Sequence, residues 1–274
     1  MTYEIKNLLA RRLVLEVVEI KENEIVTAAD YKPEFCNPYG MAHGGFLHTL
    51  AHLTSLIAGE ICVGGIWEAA DVSCQYLRSL RQFPVKTLVR RIGFDDCAPV
   101  FAAEVCDAKG AVCYTQTMSL RRPEPVGDPV CHTPKITNPS PMPKDPDAEP
   151  PFPCYTTAFS RMLNCYSIRR QGTGLVYALD LNDVNCDEYG MVYPPAVFTL
   201  ADSAVGGSLV RIEKKNPITV SASMRFLRRS AAGLVEAIPR LTRGGRSLYY
   251  YDVDVVDGNG QCVAFAQFVI QKLE

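Results

Sequence analysis

The chain has 274 residues, of which 47% are hydrophobic and 21% are charged. It can therefore bury one large core or two of ordinary size, which excludes a mainly disordered protein. Lysine and arginine number 28 against 30 aspartate and glutamate, so the net charge of -2 provides no broad positive field for nucleic acid or an anionic membrane.

The N-terminal residues and the apolar runs bear on export and membrane insertion. Residues 1–12 have no apolar core followed by small residues, so no standard export signal is predicted. The longest apolar stretch, Leu53 to Trp67, is interrupted by Gly59 and Glu60, so no membrane span is predicted. We expect a cytoplasmic protein with neither a nucleic-acid nor a membrane partner.

The cysteine pattern indicates reduced thiols. There are 11 cysteines, an odd number without a CxxC pair, and several lie inside apolar, strand-like runs. This pattern is typical of neither a zinc site nor a disulfide framework.

The first part of the chain predicts two strands followed by one helix. The strands are expected at Leu13–Glu19 and Glu24–Tyr31, and a long, mostly apolar helix at about Gly44–Val63. Proline then becomes concentrated, with 11 of 19 residues between Pro123 and Pro153 and almost no apolar periodicity. The segment 123–153 is therefore predicted to be a linker between domains at 1–122 and 154–274.

The second part repeats this order. Pro194 and Pro195 suit the first turn of a helix, where a missing N–H has no partner to lose. Three alternating strands are predicted to close the unit. The expected elements are strands at Cys165–Arg170 and Gly174–Leu181, a helix at Pro195–Ile212, and strands at Ser221–Leu227, Leu248–Val256 and Cys262–Gln271.

The two parts match at a constant offset of 150 residues. No insertion or deletion is needed over more than eighty residues, which indicates a duplicated domain of about 120 residues. The matched segments include Tyr39-Gly40-Met41 with Tyr189-Gly190-Met191, Thr49-Leu50-Ala51 with Thr199-Leu200-Ala201, Tyr76-Leu77-Arg78 with Phe226-Leu227-Arg228, and the turns at Asp107 and Asp257.

One helix that is apolar nearly all round, accompanied only by antiparallel strands, must be wrapped by the sheet. This arrangement is the hotdog fold. We therefore predict an α+β chain of two hotdog domains in tandem, each with a long central helix wrapped by an antiparallel sheet.

The sequence NPYGMAHGG at residues 37–45, followed by Thr49-Leu50-Ala51, resembles a motif of hotdog-fold acyl-CoA thioesterases of the phenylacetate-pathway type. In that family Asn is followed six residues later by His-Gly-Gly, and nine residues after the His by an Asp. The resemblance implies an active site between two units. One unit supplies the Asn and the His-Gly turn, and the other supplies the helix Asp and a Ser or Thr on a strand.

Each half departs from this pattern in a different place. The first half keeps Asn37, His43 and Gly44 but has His52 and Ala69 at the Asp and hydroxyl positions. The second half keeps Asp202 and Thr219 but has lost the other set, which it replaces by Asp187, Tyr193 and Pro194. Pairing across the interface predicts one complete site and one site that has lost its chemistry.

Elementary chemistry supports the same division. The N–H of Gly44 at a helix N-terminus can steady a developing oxyanion, whereas Pro194 has no N–H to offer. Asp202 is a lone carboxylate on an otherwise apolar helix, and an unpaired buried carboxylate is costly unless it has a use. It is predicted to be the general base or the nucleophile, with Asn37 and Thr219 holding the water and His43 shaping the turn.

Substrate binding is assigned to Gly45, Arg78, Arg228 and Arg229, because arginine suits the phosphates of coenzyme A. Solvated surface charge is the competing interpretation of each arginine. His48 and His52, four residues apart, could face a metal together, but no third ligand is evident, so no metal site is predicted.

The predicted function is hydrolysis of an acyl-CoA thioester to free acid and CoA, without metal or redox cofactor and with coenzyme A as part of the substrate. Two alternatives remain open: a hotdog hydratase or dehydratase that pairs His43 with Asp202, and a non-catalytic acyl-CoA binding protein. The sequence does not distinguish coenzyme A from acyl carrier protein as thiol carrier, nor identify the acyl group. It also leaves open a homo-oligomer of such double units.

Overall fold

The computed structural model describes residues 3–5, 7–37, 39–124, 157–187, 189–213 and 216–273. Residues 125–156, and with them nearly all of the predicted linker, lie outside this range.

The same order of helices and strands occurs twice. The first set is α1 (Leu8–Arg12), β1 (Glu16–Lys21), β2 (Glu24–Ala29), a 3-10 helix (Pro33–Phe35), α2 (Gly44–Cys62), β3 (Glu68–Tyr76), β4 (Val85–Gly93), β5 (Val100–Cys106) and β6 (Val112–Arg121). The second set is α3 (Ala158–Met162), β7 (Cys165–Gln171), β8 (Gly174–Asp180), α4 (Pro194–Glu213), β9 (Pro217–Phe226), β10 (Leu234–Gly244), β11 (Leu248–Asp257) and β12 (Cys262–Lys272).

The strands form one twelve-stranded sheet in the order β1-β2-β4-β5-β6-β3-β9-β12-β11-β10-β8-β7. Every neighbouring pair is antiparallel. The two halves join where β3 pairs with β9, and the central partners are Ser73 and Ser223, which are 150 positions apart. A residue that pairs with its own repeat equivalent lies on an approximate two-fold axis, so the halves are related by a half-turn.

The two long helices pack against each other and against the strands of this sheet. The His48 ring stacks on Phe198, with centroids 3.7 Å apart. Gly45 lies against Thr199, whose side chain fills the space that a β-carbon at Gly45 would need. The later residue on α2, His48, contacts the earlier residue on α4, Phe198, whereas Gly45 contacts Thr199. The two helices therefore run antiparallel. The expected helix wrapped by an antiparallel sheet is confirmed in both halves.

The prediction of three strands after each long helix is wrong, because four described strands follow it in each half. The missed strand β10 contains Pro239 and is preceded by Gly233, a combination that favours a loop. The structure accommodates Pro239 because the pairing of β10 with β8 ends at Ala237, two residues earlier. The short helices α1 and α3 were also not predicted.

Two further observations concern the described residues. Their nine cysteines are all free thiols. No helix among them has the length and the apolar character needed to cross a membrane.

Candidate active site

A pocket of about 300 Å³ opens between the two halves of the chain. The first half contributes Asn37, His43 and Gly44 to its wall, and the second half contributes Asp202 and Thr219. The five residues that the sequence assigned to one composite site therefore line one pocket.

The loop before α2 is held by the side chain of Asn37. Its Oδ1 accepts hydrogen bonds from the backbone N–H of Tyr39, at 3.0 Å, and of Met41, at 3.2 Å. Gly40 completes the turn with φ of +67°, a conformation that disfavours a residue with a side chain. Asn37 thus fixes the approach of the chain to the first turn of α2.

His43 caps helix α2. Its Nδ1 accepts a hydrogen bond of 2.9 Å from the N–H of Gly45, so the neutral ring carries its proton on Nε2. Burial lowers the pKa of His43 to about 4, which keeps the ring uncharged near neutral pH. His43 has no nitrogen left to accept a proton from a substrate.

Gly44 is the first residue of α2, and its N–H donates no hydrogen bond to any described residue. Its carbonyl oxygen accepts a hydrogen bond of 3.1 Å from the hydroxyl of Tyr76. The N–H lies at the positive end of the helix dipole, where a partial negative charge is stabilised.

Asp202 projects from the middle of α4 and is only 8% exposed. Its Oδ1 accepts a hydrogen bond of 2.6 Å from the hydroxyl of Thr219. Its Oδ2 lies 3.3 Å from the position that a β-carbon on Gly44 would occupy. One carboxylate oxygen is thus held in place, and the other faces the N-terminus of α2.

Burial raises the pKa of Asp202 from 3.8 to about 6, and the hydrogen bond from Thr219 opposes this rise. A carboxylate with a pKa close to neutral is a better proton acceptor than an ordinary aspartate and is still ionised at pH 7. Asp202 therefore provides a base beside the unpaired N–H of Gly44.

The equivalent place on the other side of the axis keeps the turn before the helix but differs at the positions of Gly44 and Asp202. Asp187 forms the same turn as Asn37, accepting from the N–H groups of Tyr189 and Met191 at 2.9 Å each. Pro194 begins α4 without an N–H. His52 is fully buried, and neither ring nitrogen has a hydrogen-bond partner among the described residues.

Ala69 and Tyr193 stand at the positions of this second place that match Thr219 and His43. Ala69 is buried and apolar, and Tyr193, partly buried, packs against the core. At the matched positions this side of the axis therefore has His52 in place of the Asp202 carboxylate and Pro194 in place of the Gly44 N–H.

The residues assigned to substrate binding lie in three different surroundings. Arg78 is exposed and lines the same pocket as Asp202. Arg228 and Arg229 line a second, highly charged pocket at the equivalent position across the axis. Arg229 pairs there with Asp187 and lies 3.7 Å from Glu68.

Gly45 does not line the pocket of Asp202, because its α-carbon faces Thr199 and its N–H is bonded to His43. Its lack of a side chain serves the contact between the two helices.

Several polar residues of the pocket were not found by sequence reasoning, among them Tyr76 and Gln271. Tyr76 bonds to Gly44, and Gln271 on β12 lines the pocket without a side-chain hydrogen bond to any described residue. Their repeat equivalents are Phe226 and Arg121. A comparison of the two halves for differences as well as for matches would have indicated both positions.

Comparisons with known proteins agree with this fold. Residues 189–264, in the second half, match the family model described as the Thioesterase superfamily. This segment includes Asp202 and Thr219. No curated protein sequence gives a significant match.

Solved structures resemble the chain over nearly its whole length. The tesB protein of Mycobacterium avium subsp. paratuberculosis has 14% identity and a TM-score of 0.67, with 97% of this chain and 98% of that chain covered. A hot dog fold protein from Alicyclobacillus acidocaldarius has 15% identity and a TM-score of 0.66, with 98% and 99% covered. The chain has the hotdog fold.

The raised pKa of Asp202 predicts that stability depends on pH. The buried carboxyl favours its protonated form, so its contribution to stability is fully present below about pH 4 and is lost as the pH rises through about 6. At pH 8 we expect the free energy of unfolding of Asp202→Asn to exceed that of the wild type by up to about 3 kcal/mol, so the variant is the more stable protein. Urea unfolding at pH 4 and pH 8 measures this difference.

The exposed Asp71, substituted by Asn, controls for the substitution itself. If Asp202→Asn is more stable than the wild type by the same amount at both pH values, the buried charge is not the cause of the difference.

Proposed function

We propose that this protein hydrolyses an acyl-CoA thioester to a free acid and CoA at the site between α2 and α4. The observation that carries the proposal is a buried carboxylate, Asp202, whose unbonded oxygen lies beside Gly44, a residue whose N–H has no hydrogen-bond partner among the described residues. Hydrolysis of a thioester needs these two elements, a base for water and a donor for the carbonyl oxygen.

In this mechanism the thioester carbonyl oxygen accepts a hydrogen bond from the Gly44 N–H, which polarises the carbonyl. Oδ2 of Asp202 takes a proton from water as the water oxygen bonds to the carbonyl carbon. The tetrahedral intermediate then collapses, the C–S bond breaks, and the proton returns from Asp202 to the departing sulfur. Thr219 holds Oδ1 and so orients the carboxylate.

The remaining residues fit supporting roles. Asn37 and His43 hold the turn that presents Gly44, and the amide of Gln271 is available to the attacking water. Arg78, exposed at the pocket, suits the phosphates of coenzyme A.

The finer assignments belong to the same proposal. The Asn37–His43–Gly44 motif supports the phenylacetate-pathway type of thioesterase. The repeated element order supports two hotdog domains, at 1–122 and 154–274, joined by the proline-rich linker. We also propose that no metal or redox cofactor takes part and that the protein acts in the cytoplasm.

The geometry of His43 argues against the hydratase alternative. In that reaction His43 would accept or donate a proton together with Asp202. Its Nδ1 is already occupied by the N–H of Gly45, and burial lowers its pKa to about 4. Asp202 is the group available for proton transfer, which favours hydrolysis.

The first test compares equivalent positions of the two halves. Asp202→Asn keeps the hydrogen bond from Thr219 but removes the base, so we expect kcat to fall about 100-fold or more. His52→Asn places the same side chain at the equivalent position across the axis and should leave turnover at the wild-type level. Release of free thiol from a panel of acyl-CoAs measures both.

If folded His52→Asn loses turnover while folded Asp202→Asn keeps full activity, the working site lies on the His52 side of the axis. The assignment of the site to Asp202 is then wrong. Binding of acyl-CoA by the wild type without any thiol release would favour the non-catalytic alternative.

A second test removes the N–H of Gly44. Proline is tolerated at the first position of a helix, as Pro194 demonstrates in α4, so Gly44→Pro should fold. We expect kcat to fall by about 100-fold or more, as for the loss of one oxyanion donor. Gly44→Ala keeps the N–H but adds a β-carbon near Asp202, so it measures the effect of bulk alone.

The donor role requires Gly44→Pro to be much less active than Gly44→Ala. Equal activity of the two variants would contradict it.

A third test uses the hydrogen bond from Thr219 to Asp202. The wild-type kcat/KM should rise with pH around an apparent pKa of about 6, the value for Asp202. Thr219→Val removes a bond that favours the ionised form, so this rising limb should move to higher pH. Thr219→Ser retains a hydroxyl and should restore the wild-type profile; superimposable profiles for wild type and Thr219→Val would disprove the coupling.

A further inference from the structure

Three buried hydroxyls that the proposed reaction does not use lie beside Asp202. Thr157 caps α3, Ser160 lies on α3, and Ser203 follows Asp202 on α4. Ser160 Oγ lies 2.8 Å from Thr157 Oγ1 and 2.9 Å from Ser203 Oγ. We call this set the hydroxyl chain. Its two ends, Thr157 and Ser203, both line the pocket of Asp202.

Among the described residues, the hydroxyl chain has one more proton than its hydrogen bonds use. Three hydroxyls supply three protons, and the two links between them consume two. The backbone N–H of Ser160 also donates to Thr157 Oγ1, which uses an acceptor and no hydroxyl proton. The three hydroxyls form no other hydrogen bond with the described residues.

Other buried hydroxyls of the long helices have a different arrangement. Each donates to the carbonyl oxygen four residues earlier, as in Thr49, Thr54, Ser55, Thr199 and Ser208. Ser203 makes no such bond, so it keeps its hydroxyl for the hydroxyl chain and the pocket.

The third proton is best placed at an end of the hydroxyl chain. If both ends donated to Ser160, the proton of that fully buried residue would be left without an acceptor among the described residues, which is unfavourable. If instead the bonds run in one direction along the chain, the free proton belongs to Thr157 or to Ser203. In either case a hydrogen-bond donor faces the pocket.

This arrangement is particular to the side of the axis that holds Asp202. The positions equivalent to Ser160 and Ser203 in the first half are Ala10 and Leu53, both buried and apolar. Asn7, the equivalent of Thr157, caps α1 in the same way. The first half therefore forms the same local structure without the hydroxyls, so they are not required for the fold.

We propose that the hydroxyl chain is a subsite for an oxygen atom on the acyl group, so that the preferred substrate is a short acyl-CoA with a hydroxyl or oxo substituent. This inference rests on the proposed function. Thr157 and Ser203 are buried, whereas Arg78 at the same pocket is exposed, so the acyl group reaches the hydroxyls while the nucleotide stays near solvent. A cavity of about 300 Å³ lies at the small end of ligand pockets, which favours a short chain.

The test compares butyryl-CoA with its 3-hydroxy, 3-oxo and 4-hydroxy derivatives. We expect kcat/KM of the wild type to be about tenfold higher for at least one derivative than for butyryl-CoA, the effect of one neutral hydrogen bond. Ser203→Ala should abolish most of this ratio. Ser203→Leu, which introduces the residue found at position 53, should reverse the preference.

Two further variants control for structure. Ser55→Ala also removes a buried helix hydroxyl, but one bonded only to Ala51, so it should keep the wild-type ratio. Ser203→Thr retains a hydroxyl and should keep the preference for the oxygenated derivative. Circular dichroism verifies that each variant is folded.

Calorimetric titration separates this inference from the proposed function. It measures the affinity of Asp202→Asn, which lacks the proposed base, for the same ligands, with and without Ser203→Ala. Hydrolysis with no preference for any derivative, or with a ratio that Ser203→Ala does not change, would overturn the subsite and leave the hydrolase. Tighter binding of a derivative that depends on Ser203, without hydrolysis by the wild type, would support the subsite and overturn the hydrolase. Absence of both binding and turnover would overturn both.

Discussion

The antiparallel packing of α2 against α4 is the interaction on which the rest of the structure depends. The two helices cross at an approximate two-fold axis, where the ring of His48 stacks on Phe198 and Gly45 makes room for Thr199. In such a pair the N-terminus of each helix meets the middle of the other. Gly44 and Asp202, far apart in the chain, are therefore brought together by one contact between helices.

The same symmetry places a second N-terminus beside a second helix middle, but with different chemistry. There the helix begins with Pro194, and the residue equivalent to Asp202 is His52, whose ring nitrogens have no partner among the described residues. Nearby, Arg229 pairs with Asp187. At the matched positions one side thus holds a carboxylate and a backbone N–H, and the other holds an imidazole and a proline.

Burial is unfavourable for the polar groups of the pocket and is also the source of their reactivity. Removing Asp202 from water raises its pKa to about 6, and the same burial keeps His43 neutral. The hydrogen bond from Thr219 only partly offsets the desolvation of the carboxylate. Groups kept in an unfavourable state by the fold are typical of functional sites, where stability is exchanged for chemistry.

The sequence by itself determined the repeat, the two long helices and the complementary loss of residues between the halves. A constant offset of 150 residues identifies equivalent positions, and a duplicated fold then implies that Gly44 and Asp202 belong to opposite sides of one interface. Helix α2 begins at Gly44 as predicted. Strand β10 was missed because Pro239 hides its pattern.

Only the tertiary structure decided how the polar atoms are paired. It bonds His43 to Gly45, assigns the two oxygens of Asp202 to different neighbours, and joins Ser160 to Ser203. Register in a sequence fixes which positions correspond, but a hydrogen bond depends on distances of a few tenths of an ångström between segments far apart in the chain. Those distances are set when the helices pack, and no local pattern contains them.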